Sequence, residues 1–115
     1  KQKEKIRILI KKNIKNKKIF VGYGAPAKVT TFCYVFNLSN KDIKYIIDDN
    51  KLKQNKYTPG KKIKILNFKK LESLEFDYII ILAWNFADPI IKKLKNNLKK
   101  KNFKIIVPFP KLKIL

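Results

Sequence analysis

Apolar and polar residues follow one another along this chain in two alternating patterns, one typical of helices and one typical of strands. Residues 3–17 place Ile6, Leu9, Ile10 and Ile14 at helical spacing, which predicts an amphipathic helix. Short runs rich in isoleucine, valine and phenylalanine follow, and such runs are typical of strands buried in a parallel sheet. The predicted strands are 18–22, 44–47, 63–66, 76–83 and 103–107, and the predicted helices between them are 25–38, 68–74 and one that begins at Asp88 and Pro89.

The order of these elements predicts the fold class. Strands that alternate with helices indicate an α/β fold, a small Rossmann-like parallel sheet with helices on both faces and right-handed crossovers. The run 76–83 is the most apolar and is therefore predicted to be the central strand. Asn67 and Asp88 are predicted to cap the helices that follow them. The residues of helix 25–38 expected to face the sheet are Phe32, Val35, Phe36 and Leu38.

A glycine-rich turn follows the first predicted strand, in the segment Val-Gly-Tyr-Gly-Ala-Pro-Ala-Lys at 21–28. Gly22 and Gly24 permit positive φ angles and are expected to leave backbone N–H groups uncovered. A helix N-terminus placed directly after a strand attracts phosphate, and Lys28 adds a positive charge there. Ala27 stands where the full G-x-G-x-x-G pattern ends, so an ordinary tight turn without a ligand fits the segment equally well.

Unusual residues gather in the turns that follow the predicted strands. In open α/β sheets, ligands bind beyond the carboxyl ends of the strands, and all such turns of a parallel sheet lie at that edge. This convergence favours a ligand-binding edge over a set of ordinary connections. The turns concerned are Gly22–Lys28, Asp48–Asn50, Ala83–Asp88 and Pro108–Pro110.

Further side chains in or near these turns are candidates for ligand binding. Asp48 and Asp49 end the second strand, where an acidic residue of dinucleotide folds binds ribose hydroxyls; a pair of solvated acids beside lysines is the alternative. Trp84 offers a surface on which a base could stack, and the Asn85 amide offers both a hydrogen-bond donor and an acceptor. The alternative is that these two residues serve only in packing and in a hydrogen bond at the start of the helix. Tyr57, in the polar loop 51–62, either covers a ligand or anchors that loop on the sheet.

The positive charge of the chain raises the question of whether it binds nucleic acid. The chain has 115 residues, which is enough for one domain over 1–115, and it carries a net charge of +21. Only one of its 29 basic residues is arginine, the residue that usually recognises the edges of guanine bases. Lysine, isoleucine and asparagine are enriched together, as an AT-rich coding bias predicts, and lysines occur in every surface segment. We therefore expect non-specific attraction to polyanions at low salt and no specific nucleic-acid partner, although a basic nucleic-acid-binding domain stays an alternative.

Other compositional features narrow the possible chemistry and location. No apolar run approaches the roughly 20 residues that a membrane helix needs, so no membrane partner is expected. Cys33 is the one cysteine and histidine is absent, which leaves no internal disulfide, no metal site and no Ser–His or Cys–His catalytic pair. Cys33 lies among aromatic residues and is predicted to be a buried structural thiol in a cytoplasmic protein. The lack of methionine suggests a piece of a longer polypeptide.

Four spaced motifs resemble a known family. They are Val-Gly-Tyr-Gly-Ala-Pro-Ala-Lys (21–28), Asp-Asp-Asn-x-Leu-Lys-Gln-x-Lys-Tyr-Thr-Pro-Gly (48–60), Leu-Ala-Trp-Asn-Phe (82–86) and Val-Pro-Phe-Pro (107–110). Together they resemble the C-terminal domain of S-adenosylmethionine-dependent C-methyltransferases that act on nucleotide-linked deoxysugars. The resemblance runs in order over residues 1–113.

The resemblance implies a Rossmann-like domain that helps to hold a nucleotide-linked sugar and is not catalytic alone. A zinc-binding segment and a methyltransferase domain precede this domain in the family, and they are implied to hold zinc, S-adenosylmethionine and the catalytic base. The alternative is a non-catalytic Rossmann-like module for nucleotide binding or assembly. The expected substrate-binding residues are Gly22, Tyr23, Gly24, Ala25, Lys28, Asp48, Tyr57, Trp84 and Asn85.

Overall fold

A computed structural model describes residues 2–24, 26–100 and 102–115. Within these residues no helix is long and apolar enough to cross a membrane. Two short 3-10 helices span Phe68–Ser73 and Trp84–Phe86. The α-helices are α1 (Gln2–Lys15), α2 (Pro26–Phe36) and α3 (Ala87–Asn97), and the strands are β1 (Phe20–Tyr23), β2 (Ile43–Ile47), β3 (Lys64–Leu66), β4 (Tyr78–Ile81), β5 (Lys104–Val107) and β6 (Lys113–Ile114).

The strands form one six-stranded sheet in the order β3-β2-β1-β4-β5-β6. The first five strands pair in parallel, and β6 adds an antiparallel edge to β5. The predicted α/β fold is therefore confirmed. The central position predicted for 76–83 is also confirmed, because β4 lies between β1 and β5 and Ile79, Ile80 and Ile81 are fully buried.

The sheet separates two apolar cores. On one face, Ile6 and Ile10 of α1 and Phe32 and Phe36 of α2 pack against the sheet. On the other face, α3 and the helix Phe68–Ser73 cover the sheet. Helices on both faces are thus confirmed.

Val35 departs from the sheet-facing set predicted for α2. Phe32, Phe36 and Leu38 are buried as expected, but 41% of the Val35 surface is exposed. At 3.6 residues per turn, Val35 falls roughly 100° around the helix from the direction that Phe32, Cys33 and Phe36 share. Val35 therefore lies on the flank of α2.

The two predicted helix caps have opposite outcomes. Asn67 does cap the helix Phe68–Ser73, since its side chain accepts a hydrogen bond from the backbone N–H of Lys69 at 2.8 Å. Asp88 is not the N-cap of α3, so that prediction is wrong. The turn Trp84–Phe86 runs directly into α3 at Ala87, which leaves Asp88 inside the first helical turn, where its charge suits the helix dipole.

The order of the strands fixes where a ligand has most access. The chain moves outward in one direction from β1 through β2 to β3 and then returns to β4 and continues through β5 on the other side. The crossovers therefore diverge between β1 and β4. At such a switch point the carboxyl ends of the strands border a crevice, which is the usual ligand site of open α/β sheets.

Candidate functional site

The glycines of the first turn are required by the packing of neighbouring strands. A Cβ atom on Gly22 would lie 2.7 Å from methyl groups of both Ile46 and Leu82. Gly24 has a φ of +79°, and a Cβ atom there would lie 2.9 Å from the Cβ atom of Ala83. Gly22 therefore leaves room for the side chains of Ile46 and Leu82, and Gly24 allows the end of β1 to lie close to Ala83.

The backbone of this turn is less open than its sequence suggests. The N–H of Gly24 donates a 2.7 Å hydrogen bond to the carbonyl of Ile47, so the expectation that it stays uncovered is wrong. Ala25, the next predicted site residue, lies outside the described residues. Lys28, in the first turn of α2, brings a positive charge to this edge.

Three turns of the carboxyl edge meet at Trp84. The Nζ atom of Lys28 lies 4.4 Å from the centroid of the Trp84 ring, in a cation–π contact. The ring of Phe109 meets Trp84 edge to face with the centroids 5.0 Å apart. The side chain of Gln2 fixes the Phe109 turn, because its Nε2 donates to the carbonyls of Pro108 at 2.8 Å and Pro110 at 3.1 Å.

Trp84 separates two clefts. The larger, of about 390 Å³, lies towards the start of α3 and the β5–β6 connection. The smaller, of about 250 Å³, lies between Trp84 and α2 and is lined chiefly by apolar side chains. Polar and charged residues line the larger cleft beside the aromatic rings; they are Asn85, Asp88, Lys111 and Lys113.

A second polar cluster forms where β1 and β2 end. The Asp49 carboxylate accepts a hydrogen bond from the Tyr23 hydroxyl at 3.2 Å and pairs with the Lys93 ammonium at 3.0 Å. Lys93 also lies over the ring of Phe68, 4.5 Å from its centroid. Burial, together with Asp49, raises the pKa of Tyr23 above its usual range, so the hydroxyl stays a proton donor to Asp49.

The remaining predicted residues are placed differently. Asp48 is half-buried at the end of β2, and its Oδ1 accepts a hydrogen bond from the backbone N–H of Asn50 at 2.9 Å. Tyr57 is 60% exposed and forms an antiparallel bridge with Lys64 of β3, an edge strand of the sheet. With neighbouring strands about 4.8 Å apart, β3 and β4 are separated by roughly 14 Å. The structure therefore brings together Lys28, Trp84 and Asn85 but leaves Tyr57 apart.

Sequence reasoning did not include several residues of this edge among the site residues. The sequence predicts an edge turn at Phe109 without a site role for its side chain, although an aromatic residue between two prolines is typical of a fixed turn. Asp49, and not Asp48, bonds to Tyr23. Side chains alternate between the two faces along a strand, so Asp49 lies on the same face as Ile47, which pairs with Tyr23. This alternation could have predicted that Asp49 lies close to Tyr23. The other residues are Lys93, Lys111 and Lys113.

The chain offers little to a metal ion. Among the described residues, no group of three or more His, Cys, Asp or Glu side chains is arranged to hold one. Cys33 is buried in the core between α2 and the sheet, and burial raises the pKa of its thiol to about 11. With no histidine and this one inaccessible cysteine, the residues of this chain do not fit a zinc site.

Comparison with known proteins identifies the family. A family model described as the C-methyltransferase C-terminal domain matches residues 1–110. The chain is 33% identical over 110 residues to the C-methyltransferase NovU of Streptomyces niveus. This match takes in 96% of the chain and 26% of NovU, so the chain spans about a quarter of that relative's length. The chain belongs to the C-methyltransferase C-terminal domain family.

Proposed function

We propose that this domain binds the nucleotide-linked sugar substrate of a cytoplasmic, S-adenosylmethionine-dependent sugar C-methyltransferase. The methyl donor, the catalytic base and the zinc ion belong to domains that precede it in the polypeptide. The observation that carries the proposal is the cleft at the carboxyl edge of the sheet where Trp84 and Phe109 lie beside Asn85, Lys111 and Lys113. Family membership supports the same assignment.

The larger cleft beside Trp84 has the chemistry that a nucleoside diphosphate needs. The indole offers a flat surface for a base, and the Asn85 amide offers a donor and an acceptor for the polar edge of that base. Lys111 and Lys113 bring ammonium groups to the same cleft, and such groups bind phosphate as point charges. The base and the phosphates of a nucleotide therefore each have a counterpart in this cleft.

The size of the cleft limits how much of the ligand it holds. Its volume of about 390 Å³ lies at the lower end of the roughly 300–1,000 Å³ typical of small-molecule sites. The nucleoside diphosphate would fill it, and the sugar would project towards the domain that performs methyl transfer. We therefore expect the chain by itself to bind the nucleotide-linked sugar weakly and to transfer no methyl group.

Trp84 provides a direct test, because it is the only tryptophan of the chain. UDP-glucose and dTDP-glucose are titrated separately while the fluorescence of Trp84 is recorded. We expect a saturable change in emission with one or both nucleotide sugars and none with free glucose. The double variant Lys111→Gln/Lys113→Gln should weaken binding by about tenfold, the effect of losing roughly 1.4 kcal/mol of phosphate attraction.

A matched control separates this site from the general charge of the chain. Lys41 and Lys44 are equally exposed but line a cleft at the opposite, amino-terminal edge of the sheet. Lys41→Gln/Lys44→Gln removes the same charge, and it should change the affinity by less than about twofold. Equal losses from both double variants, or no saturable signal at millimolar ligand, would contradict the proposal.

A further inference from the structure

The smaller cleft beside Trp84 is an apolar groove with no role in the nucleotide site. The ring of Phe109 and the indole of Trp84 form one wall of this groove. The flank of α2 forms the other wall, with Phe32, Val35 and Phe36. Val35 is 41% exposed there, whereas Phe32 and Phe36 are buried against the sheet.

We infer that this groove is the docking surface for the methyltransferase domain that precedes this one in the polypeptide. The inference rests on family membership and not on the proposed sugar binding. The occupant we assign is a segment of that domain that presents one or two apolar side chains, flanked by carboxylates. Three features support this occupant, namely the point where the chain enters the domain, the size of the groove and its charge.

The path of the chain leads past the groove. The family is described as a C-terminal domain, and the match covers 26% of NovU, so most of such a polypeptide lies outside this fold. A chain that enters α1 does so through Gln2, which is bonded to the turn carrying Phe109, and Lys3, which lines the groove. A preceding domain is therefore tethered within a few residues of this apolar surface.

The size and charge of the groove select protein side chains over a small molecule. Its volume of about 250 Å³ falls below the roughly 300–1,000 Å³ of small-molecule sites. The charged residues lining it are Lys3, which is exposed, and Lys28, and both are basic. An apolar centre with a charged rim is the usual composition of a protein interface. Aspartate or glutamate side chains on the partner would complement the two lysines.

The test compares hydrogen exchange in the complete polypeptide and in the 115-residue chain. We expect the amides of residues 31–36 to exchange at least about tenfold more slowly in the complete polypeptide, because the docked domain covers them. Val35→Glu should abolish this difference in the complete polypeptide and leave exchange in the 115-residue chain unchanged. Ile8→Glu is the matched control, since Ile8 is 58% exposed on α1 and does not line the groove.

Other outcomes would overturn the inference. Equal exchange of residues 31–36 in both proteins would show that the groove stays uncovered. If Val35→Glu unfolds the 115-residue chain, Val35→Ser is used in its place. Val35→Ser should likewise abolish the slower exchange of residues 31–36 in the complete polypeptide. If the 115-residue chain forms a dimer that Val35→Glu dissociates in sedimentation velocity, a second copy occupies the groove and the preceding domain does not. Neither result depends on whether a nucleotide-linked sugar binds.

Discussion

Replacing Gly24 with alanine tests how the first turn is built. Gly24 has a φ of +79°, and an added Cβ atom would lie 2.9 Å from the Cβ atom of Ala83. Two separate penalties are therefore expected from one substitution. The first is the left-handed backbone conformation, and the second is the close approach of β1 to the end of β4.

The structure supplies a control that carries only the first penalty. Gly60 has nearly the same φ, +74°, but a Cβ atom there would meet its nearest neighbours at 3.6 and 3.9 Å, which is ordinary contact. The left-handed conformation costs roughly 1–2 kcal/mol for a residue with a side chain. Overpacking adds about 1–3 kcal/mol where the neighbour is fixed. Gly24→Ala should therefore destabilise the chain by about 2–5 kcal/mol and Gly60→Ala by only about 1–2 kcal/mol.

Urea unfolding followed by far-UV circular dichroism measures both free energies of unfolding. Dichroism is preferred to fluorescence here because Trp84 directly follows Ala83 in the chain. An Ala83→Gly background removes the contact, so the Gly24→Ala substitution should cost about 1–3 kcal/mol less in that background. If Gly24→Ala costs no more than Gly60→Ala, the close approach is not what requires glycine.

Three further outcomes are expected. Ile80→Ala should lower the free energy of unfolding by about 2–5 kcal/mol because Ile80 is fully buried in β4, and a loss below about 1 kcal/mol in urea unfolding would contradict its central position. Burial raises the pKa of Cys33 from 9.0 to about 11, so the protonated thiol stabilises the fold fully below pH 9 and this contribution is lost as the pH rises through 11. The free energies of unfolding of wild type and Cys33→Ala should therefore converge over that pH range. A constant difference between the two proteins would refute the burial of this thiol. DNA binding measured by anisotropy should be independent of sequence and be lost between low and near-physiological salt, whereas tight, sequence-selective binding at the higher salt would favour a nucleic-acid function.

Much of the fold could be predicted because its signals are local. Alternation of apolar runs with helical spacing indicated the α/β class, and the uninterrupted run around Ile80 indicated the centre of the sheet. The start of α3 could not be predicted in the same way. Asp88 and Pro89 have the residue types of a helix start, but the tight turn at Trp84 already directs the chain into the helix, so no side-chain cap is needed.

The candidate site was less predictable because its contacts join distant segments. Gly22 has the residue type of a phosphate-binding turn, yet a side chain there would meet the side chains of Ile46, in β2, and Leu82, directly after β4. Tyr57 lies in one of the motifs that suggested the resemblance, but its loop follows the outer edge of β3, which no local pattern reveals. Trp84 was identified because it ends the most apolar strand.

The most direct test of the account is the location of nucleotide-sugar binding. Titration of the isotope-labelled chain with UDP-glucose and dTDP-glucose, followed by 1H–15N correlation spectra, reports on each edge of the sheet separately. We predict saturable shifts of the Trp84 indole N–H and of the amides of Asn85 and Phe109, with Asp77 and Tyr78 at the opposite edge unchanged. Shifts confined to Asp77 and Tyr78, or none at millimolar ligand, would contradict binding at the carboxyl edge.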